Sequence, residues 1–85
     1  MRPTPHVARM RLRQVLELWA DRYGLTRAEA EVTRHAVRGL TNKEIAFLLG
    51  ISAATVRTEL ANVFKKLDVS SRTELSYRAF CERPT

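Results

Sequence analysis

Apolar residues recur along this chain at the three- and four-residue intervals of a helix, and nowhere with the sustained alternation of a strand. Gly24, Gly39 and Gly50 are the only glycines, and each follows such a stretch, where helices tend to stop. The pattern predicts an all-α chain of five helical segments. Pro3 and Pro5 make residues 1–6 a poor helix, expected as a loose arm, and the tail from Glu82 ends similarly at Pro84.

Capping chemistry sets the helix starts. A Ser or Thr side chain accepts from the amide three residues on, while a Glu there reaches back to the cap amide. The pattern occurs at Thr26-Arg-Ala-Glu29, Thr41-Asn-Lys-Glu44 and Ser71-Arg-Thr-Glu74, each at the head of an apolar stripe. Ser52 is a further cap without the glutamate.

The first helix is expected from about Val7 to Tyr23. Ala8, Leu12, Val15, Leu16, Trp19 and Tyr23 share one stripe, and Arg13, Gln14, Glu17 and Asp21 lie opposite. The stripe is expected to pack on the rest of the domain; the alternative is a seam with a partner chain, although two heptads are short for a coiled coil. The second helix spans roughly Arg27–Arg38, with Ala28, Val32 and Ala36 apolar and His35 beside them. No cysteine, second histidine or carboxylate set near His35 makes it a ligand or a base.

Residues Thr41–Leu67 carry the functional pattern. A short helix, Asn42–Leu49, places Ile45, Leu48 and Leu49 on one face, and small Ala46 admits another backbone. Gly50 supplies the positive φ of a tight turn, Ile51 is expected to plug the corner, and Ser52 caps a second helix, Ala53–Leu67. Two helices crossing steeply through a short Gly-containing turn are the plan of a helix-turn-helix. On the second helix Val56, Leu60, Val63 and Leu67 define the buried side. Ala54, Thr58, Ala61 and Lys65 lie opposite, flanked by Arg57 and Asn62. A bulky apolar outer face would suit a protein groove. This small, polar and basic one suits a DNA major groove.

Charge agrees. Lys+Arg 15 against Asp+Glu 9 gives a formal net charge of +6 on 85 residues. Such a surplus on one small domain points to a polyanion, nucleic acid first and an anionic membrane second. Other classes fall away. The single cysteine, Cys81, has no partner for an internal disulfide, and no Cys/His cluster has metal-site spacing. No apolar run approaches a membrane span, and the start lacks a signal-peptide core. No catalytic constellation or Gly-rich phosphate loop is present, so no enzyme, cofactor or metal is expected. The expected setting is a reducing intracellular one, cytoplasmic and nucleoid-associated.

Leu25 to about Phe80 resembles the LuxR/GerE-type helix-turn-helix domain, also found at the C-terminus of NarL-like response regulators. The residues that carry it are Leu25-Thr26, Glu29, Glu31-Val32, Gly39–Ala46, Leu49–Ser52, Thr55-Val56-Arg57, Lys66-Leu67 and Ser71-Arg72. The resemblance implies a four-helix DNA-binding domain of a transcriptional regulator, here preceded by one extra N-terminal amphipathic helix. The expected division is 1–24 for arm and helix and 25–82 for the domain. Carried over by position, Arg57, Thr58 and Ala61 are base contacts, and Thr41, Lys43, Thr55 and Lys65 are backbone contacts. Ser52 at a helix head, Asn62 beside the face and Lys66 complete the expected phosphate set. Arg2, Arg9, Arg11 and Arg13 would add salt-dependent attraction. The family is usually dimeric through its last helix, here about Arg72–Cys81. Leu75 and Ala79 of that helix face the core, and Tyr77, Phe80 and Cys81 would form the interface, unless the N-terminal helix covers them.

Two departures stand out. Glu59 replaces a frequent histidine, and a pairing with Arg72 is expected to hold it away from DNA. Family members generally carry a receiver or ligand-binding domain upstream. Here one extra helix precedes the domain, so the chain reads either as a stand-alone regulator or as a fragment of a longer one. An upstream sensory domain and a separate protein partner are the candidate sources of input. The competing reading, kept alive by Glu59 and the neutral Ala54/Ala61 surface, is a protein-interaction module that has lost or weakened DNA binding and acts on a transcription factor or polymerase subunit.

Overall fold

The computed structural model describes residues 10–82 and holds five helices: α1 (Leu12–Tyr23), α2 (Arg27–Ala36), α3 (Asn42–Leu49), α4 (Ala53–Leu67) and α5 (Arg72–Cys81). No strand occurs among the described residues.

Caps fix the starts. Thr26 Oγ1 accepts from the Glu29 amide at 3.1 Å while Glu29 Oε1 accepts from the Thr26 amide at 2.9 Å. Thr41 and Glu44 reproduce the same reciprocal pair at 3.1 and 2.8 Å. The third box is only half formed. Ser71 Oγ accepts from the Glu74 amide, but the Glu74 carboxylate takes the amide of Ser70 at 2.8 Å instead of that of Ser71. The extended backbone of Ser71 (φ −154°) turns the preceding amide toward the carboxylate. Gly24 and Gly50 close α1 and α3 at φ 71° and 69°. Asp68 closes α4 in the same left-handed region at φ 57°, the one non-glycine there among the described residues. Its amide and that of Val69 reach back to the Phe64 carbonyl.

Two boundaries differ from the periodicity. Helix α1 begins at Leu12, because Arg11 is extended (ψ 150°) and its amide is held by Gln14 Oε1 at 2.9 Å; Val7 and Ala8 lie outside the described residues. Helix α2 ends at Ala36, because the amides of Arg38 and Gly39 tighten onto the His35 and Ala36 carbonyls. Its buried positions are Glu29, Val32, Thr33 and Ala36, whereas Ala28 is exposed. Two polar groups enter the core because each finds an internal partner: Thr33 Oγ1 donates to the Glu29 carbonyl at 2.8 Å.

The stripe of α1 packs on its own domain. Val15, Leu16 and Trp19 join Leu25, Val32, Ala36, Ile45, Val56, Leu60, Val63, Leu67 and Leu75 in one cluster, so residues before and after Gly24 share a core. Helix α4 runs between α2 and α3, α1 lies against α2, and α5 meets α1. A polar stack seals that last joint. Arg78 donates to the Leu67 carbonyl at 2.5 Å and to Tyr23 Oη at 2.8 Å, with its guanidinium 5.9 Å from the Trp19 ring centre and 5.5 Å from that of Tyr23. Trp19 Nε1 donates to Glu82 at 3.3 Å.

Candidate nucleic-acid interface

Helix α4 divides along its length. Val56, Leu60, Val63 and Leu67 are buried, as their spacing predicts. Ala54, Thr55, Arg57, Thr58, Ala61, Asn62 and Lys65 are exposed. Fifteen residues make a rod of about 22 Å, held from one side only. Asn42, Arg57, Leu60, Ala61, Phe64 and Arg72 line a shallow depression between α4 and the starts of α3 and α5.

The head of the helix projects hydroxyls. Ser52 Oγ accepts from the Thr55 amide at 3.0 Å and lies 2.9 Å from Thr55 Oγ1. Two hydroxyls sharing one hydrogen bond keep one proton to donate. Thr41 Oγ1, at the head of α3, accepts its cap bond and likewise retains a donor. Phosphate oxygens only accept, so these are usable groups at positive helix ends. Lys43, Arg57 and Lys65 are exposed, and none forms an ion pair among the described residues.

Four expected side chains sit differently. Lys66 turns inward: its ammonium lies 2.6 Å from Glu29 Oε1 and 2.9 Å from the Gly24 carbonyl, so it does not share the side of Lys65. Arg72 does not pair with Glu59. Its guanidinium is taken by the Leu40 carbonyl at 2.7 Å and by Asn42 Oδ1, because the turn after α2 leaves those acceptors facing the start of α5. Glu59 is half-buried, with no ion-pair partner among the described residues. Arg13 lines a groove between α1 and α2 with Arg34 and Arg38, away from the depression along α4; Arg2 and Arg9 lie outside the described residues.

Leu48 on α3 is 57 % exposed and Ile51 in the following turn 37 %, so neither is buried as the pattern suggests. An eight-residue helix turns only Ile45 and Ala46 fully into the core. Phe47, 87 % exposed, and Leu48 line a shallow depression with Leu40, Lys43 and Glu44. On α5, Leu75 and Ala79 are buried, Tyr77 and Phe80 stay exposed, and Cys81 is half-buried. Helix α1 therefore leaves the two aromatics of α5 open.

Two titrating groups lie off the face. Burial of Glu29 works to raise its pKa, but the hydrogen bond from Lys66, the Thr26 amide and the Lys66 charge outweigh it, and the pKa is lowered from 4.5. The pKa of His35 is lowered from 6.5 by burial and by Arg34 and Arg38, against the pull of Glu31.

Among the described residues, no helix is long and apolar enough to cross a membrane. Residues 23–79 match the family of bacterial regulatory proteins of the luxR type. The chain is 46% identical over 52 residues to the uncharacterized transcriptional regulatory protein YhcZ of Bacillus subtilis, covering 61% of this chain and 24% of that protein. It is 43% identical over 56 residues to the transcriptional regulatory protein UhpA of Salmonella typhimurium, covering 66% and 29%. It is 41% identical over 69 residues to the transcriptional regulatory protein LiaR of Bacillus subtilis, covering 81% and 33%. The chain thus spans about a quarter to a third of the length of these relatives. These relatives are named for regulation and not for catalysis, and no solved structure matches the chain. With the matched segment running through four of the five helices and more than half of its length, the chain belongs to the luxR family of bacterial regulatory proteins.

Proposed function

We propose that this chain is a sequence-specific regulator of transcription that binds double-stranded DNA as a dimer and reads the major groove with α4. The observation that carries the reading is the outward side of α4, small and polar in its first turns and basic at its end. Arg57 is placed to make a bidentate contact to guanine, and Thr58 and Ala61 to meet thymine methyls. Thr41, Lys43, Ser52, Thr55, Asn62 and Lys65 surround them as phosphate contacts. Lys66 is left out of that set, because its ammonium is occupied. On this reading the chain acts in the cytoplasm, at the nucleoid.

Dimerisation uses α5, where Tyr77 and Phe80 are 69 % and 46 % exposed. Exposed aromatics on a short helix mark an interface, and a two-fold axis through α5 would present two reading helices to paired half-sites. The relatives are about three to four times longer than the stretch they share with this chain. A sensory segment or a separate protein therefore supplies the signal. A second reading, a protein-interaction module, is favoured by the exposed apolar side chains of Phe47 and Leu48, which line one depression with Leu40.

Selection of bound duplexes from a random pool, followed by titrations over a range of salt, separates the two. The DNA reading expects a paired motif and an affinity that falls steeply with salt. Failure to retain any duplex at low salt would leave the interaction module.

A further inference from the structure

The sequence ends α4 with two lysines, and the fold treats them oppositely. Both are exposed residues, but Lys65 is unpaired among the described residues, whereas the Lys66 side chain spans to the head of α2. There the Glu29 carboxylate, 4 % exposed at the residue level, accepts from Lys66 at 2.6 Å and from the Thr26 amide at 2.9 Å. The Gly24 carbonyl takes a second bond from the same ammonium at 2.9 Å. A lysine one position from Lys65 has a stem long enough to swing toward a phosphate. It is kept from doing so because its departure would strand a buried carboxylate, which is strongly unfavourable. The lowered pKa of Glu29 agrees with a carboxylate that stays ionised.

We propose that Glu29 is a specificity-determining positioning residue: it withholds Lys66 from the DNA backbone and fixes the end of the reading helix against α2. The proposal rests on the DNA-binding reading above. A phosphate contact strengthens binding to every sequence alike and adds about 0.9 to the salt slope. Holding α4 at a fixed tilt strengthens only binding that depends on base contacts. One carboxylate thus lowers affinity for random DNA and raises it for the target.

The test uses the full chain and two duplexes of equal length, one selected and one random, titrated from low to moderate salt. Glu29→Gln keeps an acceptor for the Thr26 amide, so the capping box survives, and circular dichroism checks the helices. Expected are several-fold tighter binding of the random duplex at low salt, a salt slope larger by about one, and a several-fold smaller ratio of selected to random affinity. Adding Lys66→Met to Glu29→Gln should return the random-duplex slope to its starting value. An unchanged slope and ratio in folded Glu29→Gln overturns the proposal. A variant that merely lost structure would weaken both duplexes together, which also counts against it. Lys66→Met alone leaves Glu29 unpaired, so it is compared only where circular dichroism shows the helices intact: random-duplex binding and slope then stay as they were if the lysine is withheld. A slope lower by about one means that Lys66 touches phosphate, and the proposal is wrong. If the unsubstituted chain binds neither duplex at low salt, it is the DNA reading that fails, before any substitution is made.

Discussion

The inward and outward sides of α4 are built by opposite rules. On the inward side Val56, Leu60, Val63 and Leu67 are buried, and at its edge the exposed Lys66 is bound to Glu29 and Gly24. On the outward side Arg57, Thr58, Ala61 and Lys65 are exposed, with no ion pair to Arg57 or Lys65 among the described residues. The inward side holds the helix in place, and the outward side is left free to meet another molecule. A residue's role on such a helix depends on its angle around the axis and on what faces it, since Lys65 and Lys66 differ in nothing else.

That division is broken most severely from within. Leu67→Ala removes a side chain that is 2 % exposed at the junction of α4, Arg78 and α5, and should lower stability by about 2–5 kcal/mol. Thr58→Ala, on the outward side, should change it by no more than about 0.5 kcal/mol. Thermal or urea unfolding of the pair tests the contrast, and similar losses would mean that the outward side is also structural.

At the end of α4 the expected change has the other sign. Asp68 holds the left-handed region that L side chains adopt at a cost of roughly 1–2 kcal/mol, and no ion pair holds its carboxylate among the described residues. Asp68→Gly should therefore raise stability by up to about 1 kcal/mol in the same unfolding experiment.

A smaller effect follows from the lowered pKa of Glu29. A carboxylate held below its ordinary 4.5 stabilises the fold above that value, and the contribution is lost as pH falls through the lowered native value. His35 acts higher up. Its pKa is lowered from 6.5, so stability begins to fall as acid protonates it in the unfolded chain near that value. His35→Gln should flatten the fall between about pH 7 and 5, and Glu29→Gln the fall below about pH 4.5. Unfolding midpoints across pH measure both.

Much of this was readable in the sequence, for identifiable reasons. The starts of α2, α3 and α4 follow from local capping, which involves residues three apart. The buried positions of α4 follow from one clean period over 15 residues. What local patterns do not encode is which charge meets which over long sequence separations. Lys66 and Glu29 are 37 residues apart, and Arg72 and Leu40 are 32 apart. For that reason Lys66 reads as a phosphate contact and Arg72 as a partner for Glu59, and the fold places both elsewhere. Glu29 and Thr33 are polar yet buried, because capping, the Lys66 ion pair and back-bonding inside α2 satisfy them in the core. Leu48 and Ile51 read as inward-facing and are exposed, since a helix of eight residues and its turn have little inward surface.

The central claim is that the outward side of α4 reads base sequence. Its most direct test is the affinity of Arg57→Ala and Lys65→Ala for the selected duplex, for single-base variants of it and for random DNA. Arg57→Ala should lose about 1–3 kcal/mol on the selected duplex and no longer discriminate at one base pair. Lys65→Ala should weaken all duplexes equally and lower the salt slope by about one. An Arg57→Ala protein that keeps the full preference of the unsubstituted chain would contradict the account.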